Sequence, residues 1–184
     1  MTGLATESAA LPAPPAPSLR AVYDEHAEFL WRTLRRLGVP EADVEDAAQE
    51  AFVVVHRRLA DFEGRSSLRT WLFEIARRVA ADWRQRAHVR RETTIDEAPE
   101  RTTSGDLATE LIARKQARAK LDLALAELDD EKREVFVLFE LEQLPMQAVA
   151  DAVGCPLQTA YARLYAARRL VTEAIAAHTA GGSP

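Results

Sequence analysis

Apolar residues recur along most of this chain at three- and four-residue steps, the period of an amphipathic helix. The first such stretch begins at Leu19 and continues through Val22, Tyr23, His26, Phe29, Leu30, Thr33 and Leu37. Gly38 then supplies a stop and Pro40 a restart. A second helix is predicted over roughly 41–60, with Val44, Ala47, Ala48, Ala51, Phe52, Val55 and Leu59 on one face. The polar loop DFEGRSS follows at 61–67, where Ser66 or Ser67 can cap a third helix by accepting a backbone N–H bond. That helix carries Leu68, Trp71, Leu72, Ile75, Val79 and Trp83 inward, and Arg69, Arg77, Arg78, Arg84 and Arg86 mostly outward.

The period is missing from two stretches. Residues 1–18, rich in proline and alanine, read as a disordered tail. Residues 88–109 gather Thr, Ser, Pro, Gly and Glu and read as a linker that divides the chain. Helical signal returns at about 110–128 and 130–142, then at 146–153 and 157–177, with Gly154-Cys155-Pro156 between the last two and a frayed tail at 179–184. The expected fold is all-α: two small helical domains, 19–87 and 110–178, joined by a flexible linker.

Composition supports this and removes several function classes. Alanine, leucine, arginine and glutamate dominate, which favours helix over strand. The one cysteine, Cys155, leaves no internal disulfide framework and no metal-ligand cluster, which fits a reducing cytoplasm. No run of eighteen apolar residues offers a membrane span, and no secretory signal is visible. Phosphate-loop, zinc-protease and nucleophile-elbow motifs are missing, and the four histidines are scattered, so neither catalysis nor a cofactor is expected.

Charge changes the picture more. The formal net charge of −5 conceals a basic block: residues 57–91 carry ten arginines against four acids. Screening confines such a field to roughly 8–10 Å, so an acidic protein with one basic stripe can still bind nucleic acid. A solvated helix face would show the same block.

Three features carry candidate chemistry. The short helix, glycine-containing turn and longer helix near the C terminus match a helix-turn-helix, whose second helix enters the major groove. Gln158, Thr159, Tyr161, Ala162, Arg163 and Tyr165 are positioned to reach DNA, with Arg168 and Arg169 available to phosphate. The alternative is an αα-hairpin within a bundle. The segment FEGRSSLRTWLFEIARRVAADWRQR mixes arginine with aromatic residues, which suits a single strand with unstacked bases. Against that, Trp71, Phe73 and Trp83 stand at core spacing, Trp71 above all. In DVEDAAQEAF, Asp43, Asp46, Gln49 and Glu50 lie along one helix face opposite Phe52 and Val55, able to dock a basic partner or simply to be solvated.

At these residues the chain resembles the extracytoplasmic-function sigma factors of bacterial RNA polymerase. YDEHAEFLWRTLRRLG, DVEDAAQEAF and DFEGRSSLRTWLFEIARRVAADWRQR resemble the family's sigma-2 domain over most of 20–87, and LAELDDEKREVFVLFELEQLPMQAVADAVGCPLQTAYARLYAARRL its sigma-4 domain over 123–170. The resemblance implies that Asp43, Asp46, Gln49, Glu50 and Phe52 dock on the coiled-coil clamp of the largest subunit of core RNA polymerase. It implies that the loop Phe62–Ser67 captures a base flipped from the minus-ten element of promoter DNA, with Arg65 and Ser66 nearest and Ser67 closing the loop. Arg69, Thr70, Arg77 and Arg78 would grip the opened strand, and the second domain would read the minus-thirty-five element. An anti-sigma factor is a partner implied by the resemblance alone.

The second domain departs from the family pattern. Pro145 stands where Ser or Thr is common, and Tyr161 and Ala166 where basic residues are frequent. Fewer cations release fewer counterions, so minus-thirty-five reading is expected to be weaker or altered in preference. Two other readings remain beside a promoter-recognition subunit: a polymerase-binding regulator or decoy, and a stand-alone dimeric repressor.

Overall fold

The computed structural model describes residues 17–93 and 109–180. The expectations for residues 1–16, 94–108 and 181–184 lie outside them. Seven α-helices are present among the described residues: α1 Leu19–Arg36, α2 Val44–Arg58, α3 Leu68–Thr93, α4 Thr109–Ala126, α5 Asp130–Phe136, α6 Met146–Val153 and α7 Leu157–Ala180. No strand occurs among these residues.

Helices α1 to α3 form the first domain. Ser18 caps α1, its Oγ accepting from the Ala21 N–H at 3.2 Å. Gly38 ends the turn after α1 at φ +90°, a conformation that costs a side-chain-bearing residue about 1–2 kcal/mol. A 3₁₀ turn at Glu41–Asp43 leads into α2, whose Ala47, Ala48 and Ala51 are small enough to bring α1 and α3 close. Leu30, Leu34, Val44, Val55, Leu72 and Phe73 are wholly buried. Each contributes about 1.5–3 kcal/mol of transfer free energy. Tyr23, expected inward, is instead 54% exposed. It lies one position beyond Val22, at the edge of the apolar stripe.

Helix α3 runs to Thr93, six residues into the stretch expected to be linker. Tertiary ion pairs hold this polar end: Arg86 to Glu50 at 3.1 Å and Arg90 to Asp43 at 2.6 Å.

Helices α4 to α7 form the second domain around Leu125, Val135, Leu138, Val149, Ala160 and Leu164. Asp129 caps α5 by accepting from the Lys132 N–H at 2.9 Å. After α5 the helix widens into a π turn over Val137–Leu141, and Gln143 follows in the left-handed region at φ 56°. Arg133 lies buried and donates to the carbonyls of Leu125 at 2.8 Å and Leu128 at 2.6 Å, closing the end of α4.

The two domains touch. α3 packs against α6, and Leu37 O at the end of α1 accepts from Arg84 and, at 3.4 Å, from Arg133 of the second domain. Gly38 permits this approach: a Cβ there would stand 3.0 Å from Arg133 Nη1 and 3.1 Å from Arg84 Cδ.

Candidate nucleic-acid interface

The loop between α2 and α3 supplies the first part of the site. Ser67 is the cap: its Oγ accepts from the Thr70 N–H at 3.1 Å and lies 2.8 Å from Thr70 Oγ1. Thr70, expected to grip the strand, is only 5% exposed, with its hydroxyl against that of Ser67. Gly64 sits at the tip with φ +70°. Phe62, Arg65, Ser66 and Trp71 line a recess of about 290 Å³ together with Asp61 and Glu63. The Phe62 and Trp71 rings lie 5.3 Å apart at its back, so Trp71 is half core and half recess wall. Arg65 is exposed beside Glu63.

At 100° per residue the α3 arginines, expected as one outward set, divide between two faces. Arg78 is exposed and lies one heptad from Trp71, on the side of the recess. Arg69, Arg77 and Arg84 share another stripe that faces the second domain. Arg69 crosses the Phe29 ring with its guanidinium carbon 4.7 Å from the centroid and bonds Glu142. Arg77 reaches Glu134 at 3.5 Å, and Arg84 reaches Asp130 at 2.7 Å. Burial pushes the Glu134 carboxyl above its ordinary range, with Arg77 pulling it back.

The acidic block of α2 also divides. Asp43 and Glu50 turn toward the end of α3 and are held by Arg90, and by Arg86 and Trp83. The Arg86 hydrogen bonds, aided by the Trp83 indole, hold the Glu50 carboxyl below its usual range despite partial burial. Asp46 is exposed between the two groups. Gln49 and Phe52 line a groove of about 590 Å³ against α1, with Tyr23, Trp31 and Val53. Phe52 packs on Tyr23, ring centroids 4.9 Å apart. Tyr23 and Trp31, which the sequence does not mark as candidates, line the same groove. A tryptophan outside the apolar period of α1 was the available signal.

The helix-turn-helix is built as expected. Gly154 ends α6 at φ +70°, its N–H bonding Asp151 O while Cys155 N–H bonds Ala150 O, a Schellman closure. On α7, Gln158, Tyr161, Ala162, Tyr165, Arg168 and Arg169 are exposed, while Thr159 and Arg163 are half-buried. Tyr161 and Tyr165 stack at 6.4 Å, and Arg168 lies 5.9 Å from the Tyr165 centroid. Arg163 is drawn to Glu131 at 2.7 Å and Arg168 to Glu140 at 2.5 Å. Arg169 has no ion pair among the described residues.

Among the described residues no group of three His, Cys, Asp or Glu could hold a metal ion, and no helix is long and apolar enough to cross a membrane.

Comparison with known proteins places both domains. Residues 22–91 match the model of Sigma-70 region 2, and residues 118–171 that of Sigma-70, region 4. The chain is 30% identical over 150 residues to the RNA polymerase sigma factor YlaC of Bacillus subtilis, spanning 81% of this chain and 84% of that one. It is 33% identical over 157 residues to the ECF RNA polymerase sigma factor SigC of Mycobacterium tuberculosis, spanning 82% and 80%. Its fold is similar to that of CnrH, solved in complex with the cytosolic domain of CnrY, at a TM-score of 0.64 and 24% identity over 86% of this chain and 88% of that one. It is also similar to RpoE from Bartonella quintana, solved with the anti-sigma factor NepR, at 0.65 and 21% over 85% and 95%. The chain therefore belongs to the extracytoplasmic-function RNA polymerase sigma factors, the subunits that bind core polymerase and direct it to promoter DNA.

Proposed function

We propose that this sigma factor works by binding alone, in the cytoplasm, with its two domains in distinct roles. The first docks on the clamp of core polymerase and opens the minus-ten element, and the second reads the minus-thirty-five element. The observation that carries the division of labour is the solvent-open recess of Phe62, Arg65, Ser66 and Trp71, an aromatic-backed pocket with an exposed cation at its rim that is paired only with the equally exposed Glu63 among the described residues. Extruding a base costs a few kcal/mol. Stacking on an aromatic face returns about 1–3 kcal/mol. Arg78, on the same side of α3, is exposed to take a neighbouring phosphate.

Docking rests on Asp46, Gln49 and Phe52, with Tyr23 and Trp31 continuing the same surface. Asp43 and Glu50 act there through the fold, since both are engaged by α3. The second domain offers Gln158, Tyr161, Ala162, Tyr165 and Arg169 outward, with Thr159 and Arg163 deeper. A protein that holds the factor inactive, as NepR accompanies its Bartonella relative, is a further expected partner. The pairing of Arg163 and Arg168 with acids also suits a decoy that binds polymerase but reads upstream DNA poorly.

Run-off transcription with core polymerase on fragments of the host genome tests these roles. Asp46→Lys should abolish polymerase binding. Arg65→Ala should retain binding while forming fewer permanganate-reactive open complexes. Transcription by both variants at the level of the unaltered chain would remove the proposal, and transcription by the unaltered chain removes the decoy reading.

A further inference from the structure

Glu142 is the most enclosed carboxylate at the junction of the domains, its side chain 2% exposed. It comes from the second domain, and the cations around it come from the first. Arg36 Nη1 donates to Oε1 at 2.7 Å, Arg69 Nη2 bonds Oε2, and Arg32 Nη2 lies 3.7 Å from the same oxygen. Arg32 and Arg36 stand four apart on α1, and Arg69 begins α3, so the three guanidiniums converge from two helices.

We infer that Arg32, Arg36 and Arg69 form a phosphate site for the backbone of the opened DNA strand, and that Glu142 occupies this site as an internal stand-in when the domains are closed. The inference rests on the proposed strand-gripping role of α3. It adds two residues, Arg32 and Arg36, that the sequence did not mark for DNA.

The chemistry of the cluster carries it. Guanidinium forks present paired N–H donors that suit carboxylate and phosphate oxygens equally. Arg32 also pairs with the exposed Glu28 at 3.5 Å, so three cations share one enclosed carboxylate and one at the surface, and like charges this close are costly without an anion between them. Burial lowers the Arg36 pKa, opposed by Glu142 and reinforced by Arg32. The local backbone is built to deliver the carboxylate. Glu142 N–H closes the π turn onto Val137 O at 2.9 Å, Leu144 N–H bonds Leu138 O at 3.1 Å, and Gln143 holds φ 56° with its Nε2 donating to Glu140 O at 2.6 Å. Eight positions along α3 from Arg69, Arg77 is paired with Glu134, and its buried Nε has no hydrogen-bond partner among the described residues.

Closure is selective. It engages Arg69, which stays partly exposed, and half-buries Arg77, two of the cations proposed to grip the strand, while the loop recess, Arg78, Asp46 and the Tyr161–Tyr165 face stay exposed. The closed factor can therefore meet polymerase first, and a strand and Glu142 exclude one another at the same three arginines. If about one molecule in ten is open, the apparent affinity for a single strand is roughly tenfold below that of an open variant.

The test uses the full-length chain, a fluorescein-labelled oligothymidylate of about 20 nucleotides read by anisotropy, and the radius of gyration from small-angle scattering. Glu142→Gln should enlarge the radius and tighten strand binding about tenfold. Arg32→Ala with Arg36→Ala should enlarge the radius without tightening binding, because the latch and the phosphate site are lost together. This double variant also reports on closure if Glu142→Gln fails to fold. No change of radius in either protein overturns the inference. So does equal strand affinity in the two, which would leave the arginines a latch only. Run-off transcription by the unaltered chain separates the failures: transcription with an unresponsive latch sinks the inference alone, whereas no transcript sinks the strand-gripping reading beneath it.

Discussion

Trp83 donates its indole N–H to Glu50 Oε2 at 2.9 Å, joining the last turns of α3 to the acidic face of α2. Arg86 reaches the same carboxylate, at 3.1 Å to Oε2 and 3.3 Å to Oε1. A residue that resemblance assigns to polymerase docking is thus also a tie between helices. The structural and docking roles separate by substitution. Glu50→Gln should lower stability by about 1 kcal/mol through the weakened Trp83 bond. Asp46→Lys, at an exposed position in the first turn of α2, should lower the unfolding free energy by about 1 kcal/mol through the helix dipole while abolishing polymerase binding, which Glu50→Gln should only weaken. Urea titrations beside a polymerase pull-down decide it.

The same carboxylate sets a pH dependence. Its folded pKa lies below the ordinary value near 4.5, first through Arg86 and also through Trp83. Above that ordinary value both folded and unfolded chains are ionised and the stabilisation is fully present. As pH falls through the depressed folded pKa, the folded protein must take up a proton that the unfolded chain already holds, and the contribution disappears. The stability difference between the unaltered chain and Glu50→Gln should be constant above about pH 5.5 and shrink below about pH 4.5. A difference that grows toward acid contradicts the assignment.

Gly38 couples the end of α1 to both guanidiniums that meet Leu37 O. Gly38→Ala should cost about 1–2 kcal/mol from the left-handed backbone alone. Its Cβ must also displace Arg133 and Arg84, so the variant should show a larger radius of gyration at low salt. Thermal melts and scattering on one sample test both halves.

Arg133 makes its bonds almost wholly to carbonyls, those of Leu125, Ala126, Leu128 and Leu37, with Asp130 at 3.1 Å. Arg133→Met keeps the apolar stem but leaves these acceptors buried. It should destabilise the protein by about 2–4 kcal/mol. A urea midpoint near that of the unaltered chain would show that water reaches the carbonyls instead.

What the residues alone revealed follows from the range of each signal. The helices α1, α2 and α6 and the Gly154 turn were legible because apolar period, glycine and capping are local. Ser67 and the recess were legible for the same reason. The end of α3 was misread as linker because Arg86 and Arg90 find their acids more than thirty residues away, on α2. Arg77 and Arg84 looked solvent-facing because an arginine stripe reads alike whether water or a second domain covers it; Arg69 stays exposed although it bonds Glu142. Glu142 gave no sign at all: its enclosure depends on the π turn before it and on three cations from the other domain.

Arg163 and Arg168 are neutralised by Glu131 and Glu140, which leaves Arg169 and the stacked Tyr161–Tyr165 pair as the accessible reading surface. Each phosphate neutralised adds about 0.9 to the slope of log affinity against log salt. Arg169→Ala should therefore lower the slope for minus-thirty-five duplex by about one. Glu140→Gln, by releasing Arg168 to reach phosphate, should raise it by up to about one. Tyr161→Ala should weaken binding with the slope unchanged, since an aromatic contact releases no ion. Holoenzyme titrations of an upstream duplex across a salt series separate the three. A Tyr161 variant that moved the slope, or a Glu140 variant that did not, would show that the cations of α7 are deployed differently on DNA.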